Sequence, residues 1–189
     1  MQTLRKITSC IFFIIWGMVC FSFPVQAAKA SANPSLVIAL DPGHGGEEEG
    51  AMYYGLMEKD INYKMAELVK SELEQYPNVT VFLTRDGDEQ VSLWERADRA
   101  KEAGADILLS LHFNASAAHH SQGASVYITT GEAYRDDLRQ FADYLLGEFE
   151  AIGLNNAGTF ARVTQMGGRR ADGTFDDYYG ILRHSYNNG

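Results

Sequence analysis

Three side chains carry the chemistry that can be read from this chain. His44 stands in "DPGHGG" (41–46), Glu58 opens "EKDINYKMAELVKSEL" (58–73), and His112 lies near the end of "DILLSLHF" (106–113). Two imidazoles and one carboxylate, with a water as fourth ligand, are the open donor set of a catalytic zinc site. An ion held there polarises a carbonyl and lowers the pKa of its bound water towards about 7. Each residue also has an ordinary reading. His44 can be a loop histidine among turn glycines, His112 a satisfied core histidine, and Glu58 a first-turn carboxylate that complements a helix dipole. Residue types alone leave both readings open.

Whether the three meet depends on the elements that carry them. "LVIAL" (36–40) is a continuous apolar run, as in a strand covered on both faces. His44 falls just past its end, and His112 falls at the end of a similar run over 106–113. Sites in parallel α/β sheets form beyond the carboxyl ends of the strands, so two residues far apart in sequence are expected close in space. The spacing predicts a helix over 58–75 with Ile61, Met65, Leu68, Val69 and Leu73 on one stripe. Glu58 is in phase with Ile61 and Met65 rather than with Lys59 and Lys64, and an inward carboxylate needs a partner such as a metal ion.

The remaining pattern supplies strands at 79–84 and 124–129 and helices at 92–104 and 134–152. The first of these helices has Ser92 as N-cap, Glu95 completing a capping box and Gly104 at its C-terminus. The order β-α-β-α-β-β-α predicts a single α/β domain, a mainly parallel twisted sheet with helices on both faces. The tail over 153–189 is rich in Gly, Asn, Arg and Asp, and its one short apolar group is "YYGIL" (178–182).

The first residues read differently. Arg5 and Lys6 precede an apolar stretch over 7–23, and Val25 and Ala27 are spaced as at a signal-peptidase site. Residues 1–27 are therefore expected to be a secretory signal peptide, 28–35 a short linker and 36–189 the working domain. The apolar core is short for a spanning helix, which needs about 20 residues, and bulky Phe21 after Cys20 argues against a lipoprotein site. Both cysteines, Cys10 and Cys20, leave with the leader, which excludes a disulfide framework and a thiolate metal site. The formal net charge is −9, and losing Arg5 and Lys6 makes it more negative. So acidic an exported protein is a poor nucleic-acid binder and is not held to an anionic surface by charge. No stable membrane insertion is expected after cleavage, and nothing in the pattern sets an oligomeric state.

Several ordered segments together resemble a known family. "IALDPGHGG" (38–46), "EKDINYKMAELVKSEL" (58–73), "VFLTRDGDEQVSLWERADRAKEAGADILLSLHFNAS" (81–116) and "GASVYI" (123–128) are similar to the zinc-dependent N-acetylmuramoyl-L-alanine amidases of the amidase-3 type. The resemblance implies hydrolysis of the amide between the muramic acid lactyl group and the first L-alanine of peptidoglycan stem peptides. It implies one Zn2+ per chain held by His44, Glu58 and His112, a loop-shaping role for Asn114 in "H-x-N", a muropeptide partner and a secreted or periplasmic, cell-wall location.

The family's general base is a glutamate on a late strand, in a segment resembling "P-x-x-L-x-E-x-G-F". That segment is not found, and "YYGILRHSYNNG" (178–189) resembles the stretch just before it. The expectation is a C-terminally incomplete domain that lacks its last strand, with the general base beyond Gly189. The alternatives are a pseudoenzyme that binds zinc or peptidoglycan without cleaving, a different zinc peptidase, or a substitute base among Glu47, Glu48, Glu49 or His184. Arg169 and Arg170 in "GGRRADG" (167–173) are candidate contacts for muropeptide carboxylates, against a solvated turn. Arg85 and Arg96 are expected to anchor loops or pair with Asp86 or Asp88, and His119, His120 and Ser121 to form a polar surface loop.

Overall fold

β1 (Leu36–Pro42) lies at the centre of a parallel three-stranded sheet, flanked by β4 (Val79–Leu83) and β5 (Ile107–Leu111). The computed structural model describes residues 35–113, 123–165 and 168–188. The residues up to 34, expected as signal peptide and linker, together with Asn114 and with His119, His120 and Ser121, expected as a surface loop, lie outside these.

The register of the central sheet sets up everything that follows. Leu36 to Leu40 pair in order with Val79 to Leu83, and Ile38 to Pro42 pair with Ile107 to Leu111. The carboxyl ends of β1 and β5 are thus level, with Pro42 opposite Leu111 and the Gly43 N–H donating to the Leu111 carbonyl at 3.0 Å. Side chains alternate along β1. Ile38 and Leu40 join a core with Val81 and with Ala66 of α1 (Glu58–Leu73). Ala39 and Asp41 face the other way, where Arg96 of α2 (Leu93–Glu102) reaches Asp41. Helices therefore lie against both faces of β1, as expected.

Two local expectations are corrected. The buried stripe of α1 is Glu58, Asn62 and Ala66, continued by half-buried Val69 and Leu73, while Met65 and Leu68 are exposed. The reason is at the helix start. Lys59 is also buried, its ammonium donating to the Gly46 carbonyl and to Asp88 at 2.8 Å each, which turns the helix away from the Ile61–Met65–Leu68 line. Glu58 stays in phase with the buried side either way. At α2, Ser92 caps the helix by accepting from the Glu95 N–H at 3.3 Å, but the Glu95 carboxylate turns outward to Arg99 at 2.7 Å. Half of the capping box forms.

Four of the six remaining elements have weak sequence signals. β2 (Met52–Tyr53) and β3 (Leu56–Met57) form a hairpin that runs directly into α1. β6 (Ala124–Tyr127) is followed by α3 (Arg135–Ala151) and then by β7 (Asn156–Phe160), which pairs parallel to β6. α4 (Gly180–Asn188) begins inside the apolar "YYGIL" group and packs on α2. Among the described residues β6 and β7 form their own two-stranded ladder rather than an extension of the central sheet, which corrects the expectation of one sheet. The class is nevertheless α/β with mainly parallel strands and four helices. No helix among the described residues is long and apolar enough to cross a membrane.

Candidate metal centre

The level ends of β1 and β5 place two histidines side by side, one and two residues past the paired Leu111 and Pro42. The rings of His44 and His112 lie edge to face with centroids 4.9 Å apart. Glu58, first residue of α1, completes the group: Oε2 is 3.4 Å from His44 Nε2, and Oε1 is 3.3 Å from His112 Nδ1. One donor atom from each of the three lies within 4.8 Å of the others, and among the described residues this is the cluster that could hold a metal.

Two glycines make the approach possible. A Cβ on Gly43 would stand 2.2 Å from His112 Cε1 and 2.4 Å from Nε2. A Cβ on Gly50 would stand 2.6 Å from His44 Cδ2 and 2.7 Å from Glu58 Cβ. The glycines of this loop are thus cleared space around the ligands as well as turn residues.

His44 itself adopts a left-handed backbone, φ 65°, which costs a side-chain-bearing residue of order 1 kcal/mol and persists only where surroundings enforce it. Here they do. The Pro42 carbonyl accepts from Arg85 Nε at 2.8 Å and from an Arg96 terminal nitrogen at 2.9 Å. The Gly43 carbonyl accepts from Asn62 at 3.1 Å, and the His44 carbonyl from Arg96 at 2.7 Å. Both arginines are only 2% exposed. They anchor the loop, as the sequence implied, but the carboxylate partner of Arg96 is Asp41 at 2.8 Å rather than Asp86 or Asp88. Asp41 also accepts from Thr84 at 2.5 Å and Ser110 at 2.6 Å, so this buried charge is fully hydrogen-bonded.

Electrostatics prepare the ligands for a cation. Burial opposes the charge of Glu58, yet its carboxyl is held below the ordinary glutamate range. The Ala51 and Phe113 N–H groups each donate to it at 2.8 Å, and the two imidazoles add to the effect. Burial pushes the His112 imidazole below its ordinary value, with His44 acting the same way and Glu58 opposing. Part of that ring is still open to solvent, its side chain being 46% exposed. A deprotonated carboxylate and a neutral imidazole with an open edge are the states a metal requires.

The donor types, two imidazoles and a carboxylate, are those of a zinc site, in which tetrahedral bonds of about 2.0–2.1 Å set donor atoms about 3.4 Å apart. Here His44 and His112 approach different oxygens of Glu58, and one donor atom from each of the three lies within 4.8 Å of the others.

The other candidates separate cleanly. Arg170 is 8% exposed and paired with Asp177 at 2.5 Å, while also donating to Thr130 at 2.7 Å. It is a structural ion pair and not a free substrate contact. Arg169 is exposed, donates to the Gly173 carbonyl at 2.7 Å and stacks over Phe175. Glu47, Glu48 and Glu49 are solvent-exposed. His184 is buried and stacks on Trp94 of α2, outside the cluster around Glu58. Sequence reasoning missed the part played by Asp41, Thr84 and Ser110. The signal was present in their positions at or near the ends of three adjacent strands.

The N-acetylmuramoyl-L-alanine amidase family matches residues 38–183, a span that contains His44, Glu58 and His112. The chain belongs to this family. It is 32% identical over 138 residues to the probable N-acetylmuramoyl-L-alanine amidase AmiB of Haemophilus influenzae, covering 72% of this chain and 30% of that protein. It is 31% identical over 153 residues to N-acetylmuramoyl-L-alanine amidase AmiC of Escherichia coli O6:H1, covering 80% of this chain and 35% of that protein. This amidase-family chain thus spans about a third of the length of these curated relatives. Its fold is similar to the solved catalytic domain of CwlV, an N-acetylmuramoyl-L-alanine amidase from Bacillus (Paenibacillus) polymyxa var. colistinus. The TM-score is 0.63 and the identity 27%, over 79% of this chain and 74% of that one.

Proposed function

We propose that the protein is a zinc-dependent N-acetylmuramoyl-L-alanine amidase of peptidoglycan, exported by residues 1–27 and acting at the cell wall or in the periplasm through the domain over 36–189. One observation carries the reading: Glu58 sits between two imidazoles at 3.4 and 3.3 Å inside a family-matched frame. Zinc, when bound by His44, Glu58 and His112, supplies Lewis acidity toward the scissile carbonyl and lowers the pKa of a water.

The chain's own contribution is positional. Arg85, Arg96 and Asn62 hold the carbonyls of the loop that presents His44. Ala51 and Phe113 fix both oxygens of Glu58, so the carboxylate stays charged and does not swing. The open edge of His112 leaves the donor cluster reachable from solvent. Among the described residues no second carboxylate contacts this cluster, and none is assigned as general base.

The test is His112→Ala. The variant is expected to lose zinc in metal analysis and to release no stem peptide from purified muropeptides. A variant that still cleaves, or a wild type equally active on plain peptides lacking the muramoyl group, overturns the proposal.

A further inference from the structure

The β2–β3 hairpin abuts the metal cluster and carries a residue that turn geometry alone does not explain. Tyr53 pairs with Leu56, so Tyr54 and Gly55 form a two-residue loop, and both have positive φ, 51° and 75°. This is the pattern of a type I′ turn, whose first position strongly prefers Asn, Asp or Gly. A bulky aromatic there is an outlier that strains the backbone. Its side chain makes no core: Tyr54 is 88% exposed, its ring centroid 4.2 Å from that of Tyr53, and Met52 and Leu56 beside it are also exposed. A strained turn that displays an aromatic face to solvent at a site's border points to a ligand.

The hairpin's place narrows the ligand. The Ala51 N–H binds Glu58 Oε2, and the Ala51 carbonyl accepts from the Glu58 N–H at 2.9 Å. Three residues of chain separate Tyr54 from Ala51, a reach of at most about 11 Å. On the proposed function, on which this inference rests, the amide at the cluster hangs from a sugar ring through one short lactyl ether, which puts saccharide within that reach. Charge selects between sugar and peptide. Glu47, Glu48 and Glu49 lie exposed on the segment leading into the hairpin, so a carboxylate-bearing stem peptide is repelled there while a neutral N-acetylated sugar is not. Sugars present flat C–H faces that stack on aromatic rings.

We propose that the Tyr53–Tyr54 face of this hairpin is a saccharide subsite that takes an N-acetylhexosamine ring of the glycan strand and orients the amide toward His44, Glu58 and His112.

The experiment uses the N-acetylglucosamine tetrasaccharide as probe, titrated calorimetrically into the full chain with the metal chelated. Binding is then read apart from catalysis and from zinc. Wild type is expected to bind. Tyr54→Asn, which suits the turn, is expected to melt no lower than wild type yet lose at least about tenfold in affinity, while Tyr54→Trp stays within about threefold. Absence of binding by wild type, or unchanged affinity in Tyr54→Asn, overturns the subsite, as does preferential binding of a carboxylate-bearing stem peptide that Tyr54→Asn abolishes. None of these results depends on whether His112→Ala cleaves muropeptides, so the two proposals fail separately.

Discussion

Gly43 and His112 occupy what would be the same space if Gly43 had a side chain: its Cβ would lie 2.2 Å from the imidazole Cε1. The conflict is purely steric, since it involves the ring and Gly43 has no left-handed φ. Gly43→Ala is expected to push His112 off the cluster and lower zinc affinity by about 10- to 100-fold, the range for disturbing a metal ligand's support. The fold should persist because the ring can swing toward solvent. Competitive zinc titration checks this, and wild-type affinity in the variant would show that the loop yields instead.

Without metal, Glu58 and His112 both make stability fall as pH falls. The Glu58 carboxyl is held below its ordinary value although burial acts against it. Its contribution is therefore complete above about pH 4.3, the ordinary glutamate value, and is lost as pH drops through the folded one. His112 is also held below its ordinary value, by burial first and His44 second. The unfolded chain then binds the proton before the folded one, and stability declines as pH falls below about 6.5. The metal-free melting temperature is expected to descend in two stages, and His112→Ala should flatten the upper one. Calorimetric scans across pH 3–8 would read it, and a level profile between pH 7 and 5 would refute it.

Arg96 serves four acceptors: the Val91, Pro42 and His44 carbonyls and the Asp41 carboxylate. Removing it with Arg96→Ala strands a buried aspartate, a loss of about 3–5 kcal/mol. Arg96→Lys is expected to recover little, because one ammonium cannot reproduce a planar fork that reaches four groups. Urea denaturation of the two variants measures both effects. Full rescue by lysine would show that charge alone matters.

The adjacent arginines at 169 and 170 should behave oppositely. Arg170→Ala breaks a buried pair with Asp177 and is expected to cost about 3–5 kcal/mol of stability. Arg169→Ala removes an exposed side chain and should change stability by less than about 0.5 kcal/mol. Thermal melts distinguish them. A variant at 170 that folds normally but raises the KM for muropeptides would restore it as a substrate contact.

The triad was legible because strand ends are readable: an apolar run followed by a polar, titratable residue marks the rim of a parallel sheet, and two such runs end in His44 and His112. Apart from the family resemblance, Glu58 was legible only from phase, and the phase rested on the wrong apolar residues. Periodicity counts Met65 and Leu68 as inward, whereas the buried ammonium of Lys59 sets the helix rotation. Arg85 and Arg96 were legible as loop anchors but not as buried groups, since charged residues in a turn and on a helix ordinarily face water. β7 escaped notice because "NAGTF" lacks a β-type apolar pattern, and its pairing with β6 is a tertiary fact. The hairpin was too short to register, with two residues in each strand.

Glu58 and His112 are 54 residues apart in sequence, and the Phe113 N–H that steadies Glu58 comes from equally far away. No local segment can therefore preform the chelate. The entropy of closing that long loop must be met by the docking of β5 beside β1 and of α1 across them. With zinc bound as proposed, metal capture would report the completion of folding: an ion that recognises only the finished chelate stabilises the native chain by mass action and leaves partly folded chains alone. On the proposed function, a hydrolase built this way would be inert until its last non-local contacts are made, which would couple the onset of activity to the end of folding rather than to synthesis.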